Sequence, residues 1–266
     1  MGSANRYLYT LVAILALCFL LAPLAIVIPE GFSSASFLVY PPPGFSTRWF
    51  KEFLTSESWM KPFFNSLKIA TAAAGIATVL GTLSALSLDG SRFRGKGFVI
   101  LFLMAPLLIP LVVMGIANYS FYLSVGLGGS LLGLVLAHAL LGLPFTFLSV
   151  NSALSQFDTR LRSASQSLGA SPLQTFREVT LPLIAPGIIA GAVLAFVISF
   201  NDVVLATFLA GQSTQTLPLR MVAALEYEFD PTIAAVSTVL LLMGLAIFGL
   251  VGLLSRDSRH DRQVQQ

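Results

Sequence analysis

Apolar and polar positions divide the chain into long, predominantly apolar runs separated by short polar intervals. Six runs stand out, at 8–28, 63–88, 98–119, 131–150, 183–204 and 233–254. Each approaches or exceeds the roughly 20 residues that a helix rising 1.5 Å per residue needs to cross about 30 Å of hydrocarbon. Backbone polar groups in lipid find no water, so runs of this length predict helices. The expectation is an all-α membrane protein, one transmembrane domain over 1–266 with six transmembrane helices. Arg6 before the first run gives it some likeness to a signal peptide. The run is longer than a signal's apolar core and no small-x-small cleavage site follows it, so it is read as span one.

The longest polar interval in the second half is 157–182, FDTRLRSASQSLGASPLQTFREVTLP. It predicts two short helices. Phe157, Leu161, Ala164 and Leu168 recur on one helical face, and Gly169 supplies the left-handed residue that ends a helix. Ser171 is a good N-cap, Pro172 suits the first helical position, and Gln174 completes a capping box. Pro182 is expected to stop the second helix. A helix-glycine-helix of this kind also suggests a DNA-reading module. Membrane-length runs on both sides, and only Arg160, Arg162 and Arg177 for phosphate contact, exclude nucleic acid as a partner.

Other intervals carry weaker signals. Between the first two runs, Pro41-Pro42-Pro43-Gly44 forbids regular structure, and Ser46-Thr47 caps a short helix bringing Trp49, Phe50, Phe53 and Leu54 together as interfacial anchors. Lys68 lies inside the second run within snorkelling reach of its end. Ala70, Ala74, Ala77, Gly81 and Ala85 form a small-residue stripe, and Gly187 and Gly191 a GxxxG step, both suited to close helix contact. Pro106 and Pro110 kink or loosen the third span. The stretch Gly90 to Lys96 resembles a phosphate loop, but Gly97 replaces the magnesium-binding hydroxyl and no strand precedes it.

Composition agrees with lipid: 56% of residues are hydrophobic and 10% charged, with a mean hydropathy of +0.85. The net charge of +3 is explained by topology. Arg6, Arg92, Arg94, Lys96, Arg160, Arg162, Arg177, Arg256, Arg259 and Arg262 make ten basic residues on one side, against Arg48, Lys51, Lys61, Lys68 and Arg220 on the other. The positive-inside rule then places both termini and 157–182 in the cytoplasm. Cys18 is the single cysteine, so no internal disulfide or cysteine metal site is expected. No complete Walker loop, Ser-His-Asp order or His/Cys cluster is present, which predicts a non-catalytic chain without metal or cofactor whose energy comes from elsewhere.

The 157–182 interval resembles the "EAA" loop of integral-membrane permeases of ABC importers, a frame of Glu-Ala-Ala, three residues, Gly, nine residues, Ile, one residue, Leu-Pro. Here it reads Ser163-Ala164-Ser165, Gly169, Val179 and Leu181-Pro182 with every interval kept. Ala164, Gly169, Leu181 and Pro182 match, while Ser163 and Ser165 replace the glutamate and the second alanine. Further stretches, among them Arg92-Phe93-Arg94-Gly95-Lys96, His138 with Leu143-Pro144-Phe145, Leu168-Gly169-Ala170-Ser171 and Asn201-Asp202-Val203-Val204, look like the second permease of spermidine/putrescine importers. The resemblance implies the type I (MetI-like) permease fold in a bacterial inner membrane. It also implies a sister permease, an ATP-binding subunit dimer docking on the loop as a coupling helix, and a periplasmic solute-binding protein. Relatives of that branch also move iron complexes, phosphonates and other amines.

By that resemblance the ATPase-coupling residues are Leu161, Ser163, Ala164, Ser165, Leu168, Gly169, Ala170, Ser171, Leu181 and Pro182. Ser163 offers a hydroxyl where the family has a carboxylate, so docking should rest on packing by Leu161, Ala164 and Leu168, unless Arg162 or Glu178 supplies the polar contact. For the solute path the candidates are Asn201, Asp202 and His138. Asp202 either meets a cationic solute such as a polyamine or stays a hydrated carboxylate at the outer end of span five. His138 is expected to hydrogen-bond a neighbouring helix. Glu226, Glu228 and Asp230 are read as solvated. The competing class is an ion-coupled secondary transporter, against which Asp202 is the only carboxylate within the runs, and it lies near an end.

Overall fold

The computed structural model describes residues 3–156, 158, 160–228 and 230–263, with side chains described from residue 9 to 247 and at residue 249. Phe157, and the side chains of Arg6, Arg256, Arg259 and Arg262, lie outside the described residues. In chain order the helices are α1 (Ser3–Gly31), α2 (Arg48–Thr55), α3 (Glu57–Leu88), α4 (Lys96–Leu108), α5 (Leu111–Ser124), α6 (Leu131–Ser155), α7 (Arg160–Ser167), α8 (Pro172–Thr175), α9 (Leu181–Asn201), α10 (Val204–Leu209), α11 (Leu217–Ala223) and α12 (Thr232–Gln263). Two wider π-helical turns, Phe176–Thr180 and Ala224–Glu228, complete the list. Among the described residues, four helical stretches are long and apolar enough to cross a membrane: Tyr9–Gly31, Glu57–Leu88, Leu131–Ser155 and Pro172–Asn201. The pair α4 and α5 passes that test jointly but is bent by 101°, and the apolar part of α12 is the shorter Thr232–Ile247.

The helix ends differ from the ends of the apolar runs at several places. The second run begins as helix at Glu57, and α3 runs on through Pro62, which has no N–H to offer the carbonyl of Ser58. The third run is broken, because Pro110 lacks an N–H and pushes Ile109 into extended geometry, with φ −83° and ψ 130°. The fifth run stops being helical at Asn201 rather than at residue 204. Pro182 does not stop the helix that α8 begins. The π-helical turn before it lets Leu181 N–H reach Phe176 O, five residues back. That widening accommodates a ring that would otherwise strike the carbonyl four residues earlier.

The chain forms two compact units, residues 1–60 with 221–250, and residues 61–220 with 251–266. In the first unit, Gly31 sits against α12, where a Cβ would lie 2.7 Å from Thr238 Oγ1 and 3.1 Å from Ala234 O. The segment between α1 and α2 is tied by Ser34 N–H to Gly44 O at 2.9 Å and by Trp49 Nε1–H to Ala35 O at 3.2 Å. Of the four expected interfacial anchors, Phe53 is buried and Leu54 exposed, so they do not share one face. Asp230 is not simply solvated. Its Oδ1 accepts Thr232 N–H at 2.9 Å at the start of α12, and its Oδ2 accepts Trp59 Nε1–H at 3.3 Å.

In the second unit, small residues set the packing. The stripe on α3 is buried at Ala70, Ala74, Ala77 and Ala85. Thr146 Oγ1 on α6 donates to Ala77 O at 2.7 Å, which bonds the two helices across their close approach. The other side of α6 takes α9: a Cβ on Gly187 would lie 2.6 Å from Ala153 Cβ, and one on Gly191 2.9 Å from Thr146 Cα. Larger side chains fill either end. Ile69, Met114, Leu134, Leu141, Leu205 and Leu209 form one cluster, and Leu103, Phe147, Val150, Leu154 and Ile184 another.

Candidate functional site

Two places in the second unit hold the residues that the motifs single out. The first is the two-helix projection between α6 and α9. α7 ends in a Schellman turn: Gly169, at φ +92°, donates its N–H to Gln166 O at 3.0 Å, and Ala170 donates to Ser165 O at 3.2 Å. α8 then opens with the full capping box, Ser171 Oγ accepting Gln174 N–H at 3.3 Å and Gln174 Oε1 accepting Ser171 N–H at 2.8 Å. Ser165 Oγ and Thr175 Oγ1, 3.2 Å apart, brace α7 to α8.

The coupling candidates therefore divide. Ser165, Gly169 and Ser171 shape the projection, with Ala170 half-buried in the turn. Leu161, Ser163, Ala164 and Leu168 are exposed, Leu168 at 90%, as is Leu173 of α8. Leu181 and Pro182 lie at its exposed root, where α9 starts. Leu168 and Leu173 are thus apolar side chains turned outward on the two short helices.

Arg162 was missed as a structural residue. Its Nη1 lies 2.7 Å from Asp89 Oδ2, and its Nε donates to Thr180 Oγ1 at 3.3 Å. It is thus engaged within the chain. Asp89 is the one acidic residue of the loop DGSRFRGK, a weak signal that names no partner. In that loop Lys96 Nζ donates to Leu88 O at 2.8 Å and Ser91 O at 3.3 Å, closing the end of α3 instead of holding phosphate.

The second place is the break between α9 and α10. Asp202 ends α9, and its Oδ2 accepts Ala206 N–H at 3.1 Å in the first turn of α10. His138, buried on α6, holds Ser199 Oγ at 2.9 Å and Ser199 O at 3.1 Å through Nδ1, and its Nε2 lies 3.7 Å from Asp202 Oδ2. The helix-to-helix bond expected of His138 is there, and Ser199 is the partner that spacing did not reveal. Asn201 Nδ2 donates back to Val197 O at 2.9 Å. A pocket of about 590 Å³ opens beside these groups, lined by Asn201, Asp202 and Val204, by Leu141 and Phe145 of α6, and by Pro106, Ile109 and Leu111 at the α4–α5 break. The three solute-path candidates are brought together, with Asn201 and Asp202 on the pocket wall and His138 behind Asp202. Apart from that amide and carboxylate the lining named here is apolar.

Several helices long and apolar enough to cross a membrane point to a multi-pass membrane protein. Residues 77–260 match the model of the binding-protein-dependent transport system inner membrane component. The chain belongs to that family, as a permease subunit of a binding-protein-dependent ABC importer. It is 34% identical over 239 residues to the spermidine/putrescine transport system permease protein PotC of Escherichia coli (strain K12), covering 90% of each chain. It is 32% identical over 251 residues to the putrescine transport system permease protein PotI of the same organism, covering 92% of this chain and 88% of that one. Among solved structures, a bacterial ABC transporter involved in the import of the acidic polysaccharide alginate aligns over 95% of this chain and 98% of its own, with a TM-score of 0.73 at 15% identity. That likeness concerns the fold.

Proposed function

We propose that this permease passes a small organic cation of the polyamine class through the region of Asn201 and Asp202. Its relatives named for spermidine and putrescine support that reading, and the observation that carries it here is that Asp202, a buried acidic residue, lines a mostly apolar pocket. A carboxylate in apolar surroundings is costly unless its charge is met. The Ala206 N–H meets it in part and His138 Nε2 stands 3.7 Å away, and an ammonium group entering the pocket would add a full positive charge while its methylenes lie on Leu141, Phe145 and Ile109. A phosphonate would meet only repulsion there.

Energy comes from a separate ATP-binding subunit dimer that docks on α7–α8. A sister permease completes the path, and a solute-binding protein delivers the cargo. In this reading Leu161, Ala164 and Leu168 are the packing contacts, and Ser163 forgoes the charge pairing of its family position. Arg162, held by Asp89 and Thr180, is not the substitute. Closure of the ATP-bound dimer then moves the spans as rigid bodies. Six crossings with both termini in the cytoplasm of a bacterial inner membrane complete the proposal.

The test is spermidine and putrescine uptake by the reconstituted complex. Asp202→Asn should abolish uptake while the ATP-binding subunit still co-purifies. Retained uptake, or transport of phosphonates or ferric complexes in place of amines, overturns the solute reading. Leu168→Asp should release the ATP-binding subunit, and unchanged retention sinks the docking surface. Solute flux through the purified chain alone would point to a self-sufficient carrier.

A further inference from the structure

We infer that Arg162 is a positioning residue that transmits movement of the α7–α8 projection to the ends of α3 and α9 through its two-pronged contact with Asp89 and Thr180. The inference rests on the docking reading above and adds to it the route by which a displaced projection reaches the spans.

Three segments far apart in sequence meet at this side chain. Arg162 is on α7, Asp89 is the first residue beyond α3, and Thr180 is the last residue of the π-helical turn that leads into α9. The guanidinium reaches the carboxylate at 2.7 Å and the hydroxyl at 3.3 Å. The planar guanidinium carries its donors in a rigid fork and keeps its charge, so the contact fixes an orientation as well as a charge. Both footings are firm. Thr180 is buried. The chain just beyond α3 is closed by Lys96 Nζ on Leu88 O and Ser91 O. The arginine also sits at the negative end of the α3 dipole, which favours a cation there.

The projection follows α6 in the chain and leads into α9 through residues 176–180, whereas α3 is separated from it by α4, α5 and α6. α3 in turn packs on α6 through Gly81 and Thr146. Without the Arg162 link, a push on α7 would pass along the chain to α6 and α9 and reach α3 only through its packing on α6, far from the end of α3. With it, the end of α3 is carried along. A partly exposed ion pair contributes little to overall stability, so its worth here is in geometry and not in holding the fold.

The experiment is a charge swap in the full complex with its sister permease, ATP-binding subunits and solute-binding protein, supplied with ATP and spermidine. Arg162→Glu and Asp89→Arg should each lower uptake per ATP hydrolysed by about five-fold, and the double variant should recover to within about two-fold of the parent. The ATP-binding subunit should co-purify with all three. Arg162→Lys, which keeps the charge but not the fork, should fall between. A double variant no better than the worse single one, or single variants with full coupling, overturns the strut. Loss of the ATP-binding subunit from Arg162→Glu also overturns it, since Arg162 would then belong to the docking face. Should Arg162→Glu fail to assemble with the sister permease, Arg162→Gln decides, and full coupling there counts against the inference. Failure of the docking reading itself shows separately, as Leu168→Asp retaining the ATP-binding subunit.

Discussion

A single hydrogen in place of a side chain decides how closely α3 approaches α6. A Cβ at Gly81 would lie 2.8 Å from Thr146 Cβ and 2.9 Å from the Phe147 backbone nitrogen, whereas one at Gly75 meets nothing within 4 Å. Gly81→Ala should therefore cost about 1–3 kcal/mol of stability through overpacking. Gly75→Ala should cost nothing, since alanine is the better helix former. Thermal unfolding of the detergent-solubilised protein compares the two, and equal midpoints would refute the close approach. A second residue-scale prediction concerns His138. Its imidazole joins α6 to Ser199 and stands 3.7 Å from Asp202, and interhelical side-chain bonds of this kind are worth about 0.6 kcal/mol on average and up to roughly 1.7. A cycle of His138→Phe, Ser199→Ala and the double variant should show coupling in that range, and strict additivity would mean that the bond contributes nothing.

Among the elements, those governed by local rules were legible and those governed by distant contacts were not. Gly169, Ser171, Pro172 and Gln174 each act within four residues, and the turn and capping box form where the spacing puts them. Because Gly169 holds φ +92° with open space around it, Gly169→Ala should cost about 1 kcal/mol from backbone strain alone, and Gly169→Asn less, asparagine being more tolerant of that region. Faster amide exchange across α7 and α8 in the alanine variant checks this, and unchanged exchange would contradict it. The same local logic failed at Pro182, where a helix terminator is absorbed because the turn before it widens. It gave only half the answer at Pro106 and Pro110. Pro106 stays inside α4, and the full break falls at Ile109 and Pro110, where extended backbone turns the chain. At the candidate site, the charge of Asp202 and the polarity of Asn201 and His138 in apolar runs were visible. Ser199 beneath His138, and Asp89 across from Arg162, were not, since contacts over 61 and 73 residues leave no trace in spacing.

At the scale of the whole molecule the bent pair α4–α5 decides the topology. Apolar length alone would let this pair cross as one kinked span or enter and return on the same side, and a bend of 101° is compatible with either. The choice sets the parity of everything after it. With a crossing, α7–α8 lies on the same face as the Arg92–Lys96 loop, and the ten basic residues collect on one side as the positive-inside rule favours. With re-entry, α7–α8 moves to the opposite face and the arginines on α7 and in the π-helical turn leave their side. The tie between Arg162 and Asp89 is possible only if both lie on one face, so it supports the crossing. Single cysteines in a Cys18→Ser background test this directly. Val125→Cys and Tyr227→Cys, both at exposed positions, should react with an impermeant maleimide in intact spheroplasts. Phe93→Cys and Gln166→Cys should react only in inside-out vesicles. Labelling of Phe93→Cys and Val125→Cys from the same side would make α4–α5 re-entrant, and the docking surface on α7–α8 could then not be reached by a cytoplasmic ATP-binding subunit.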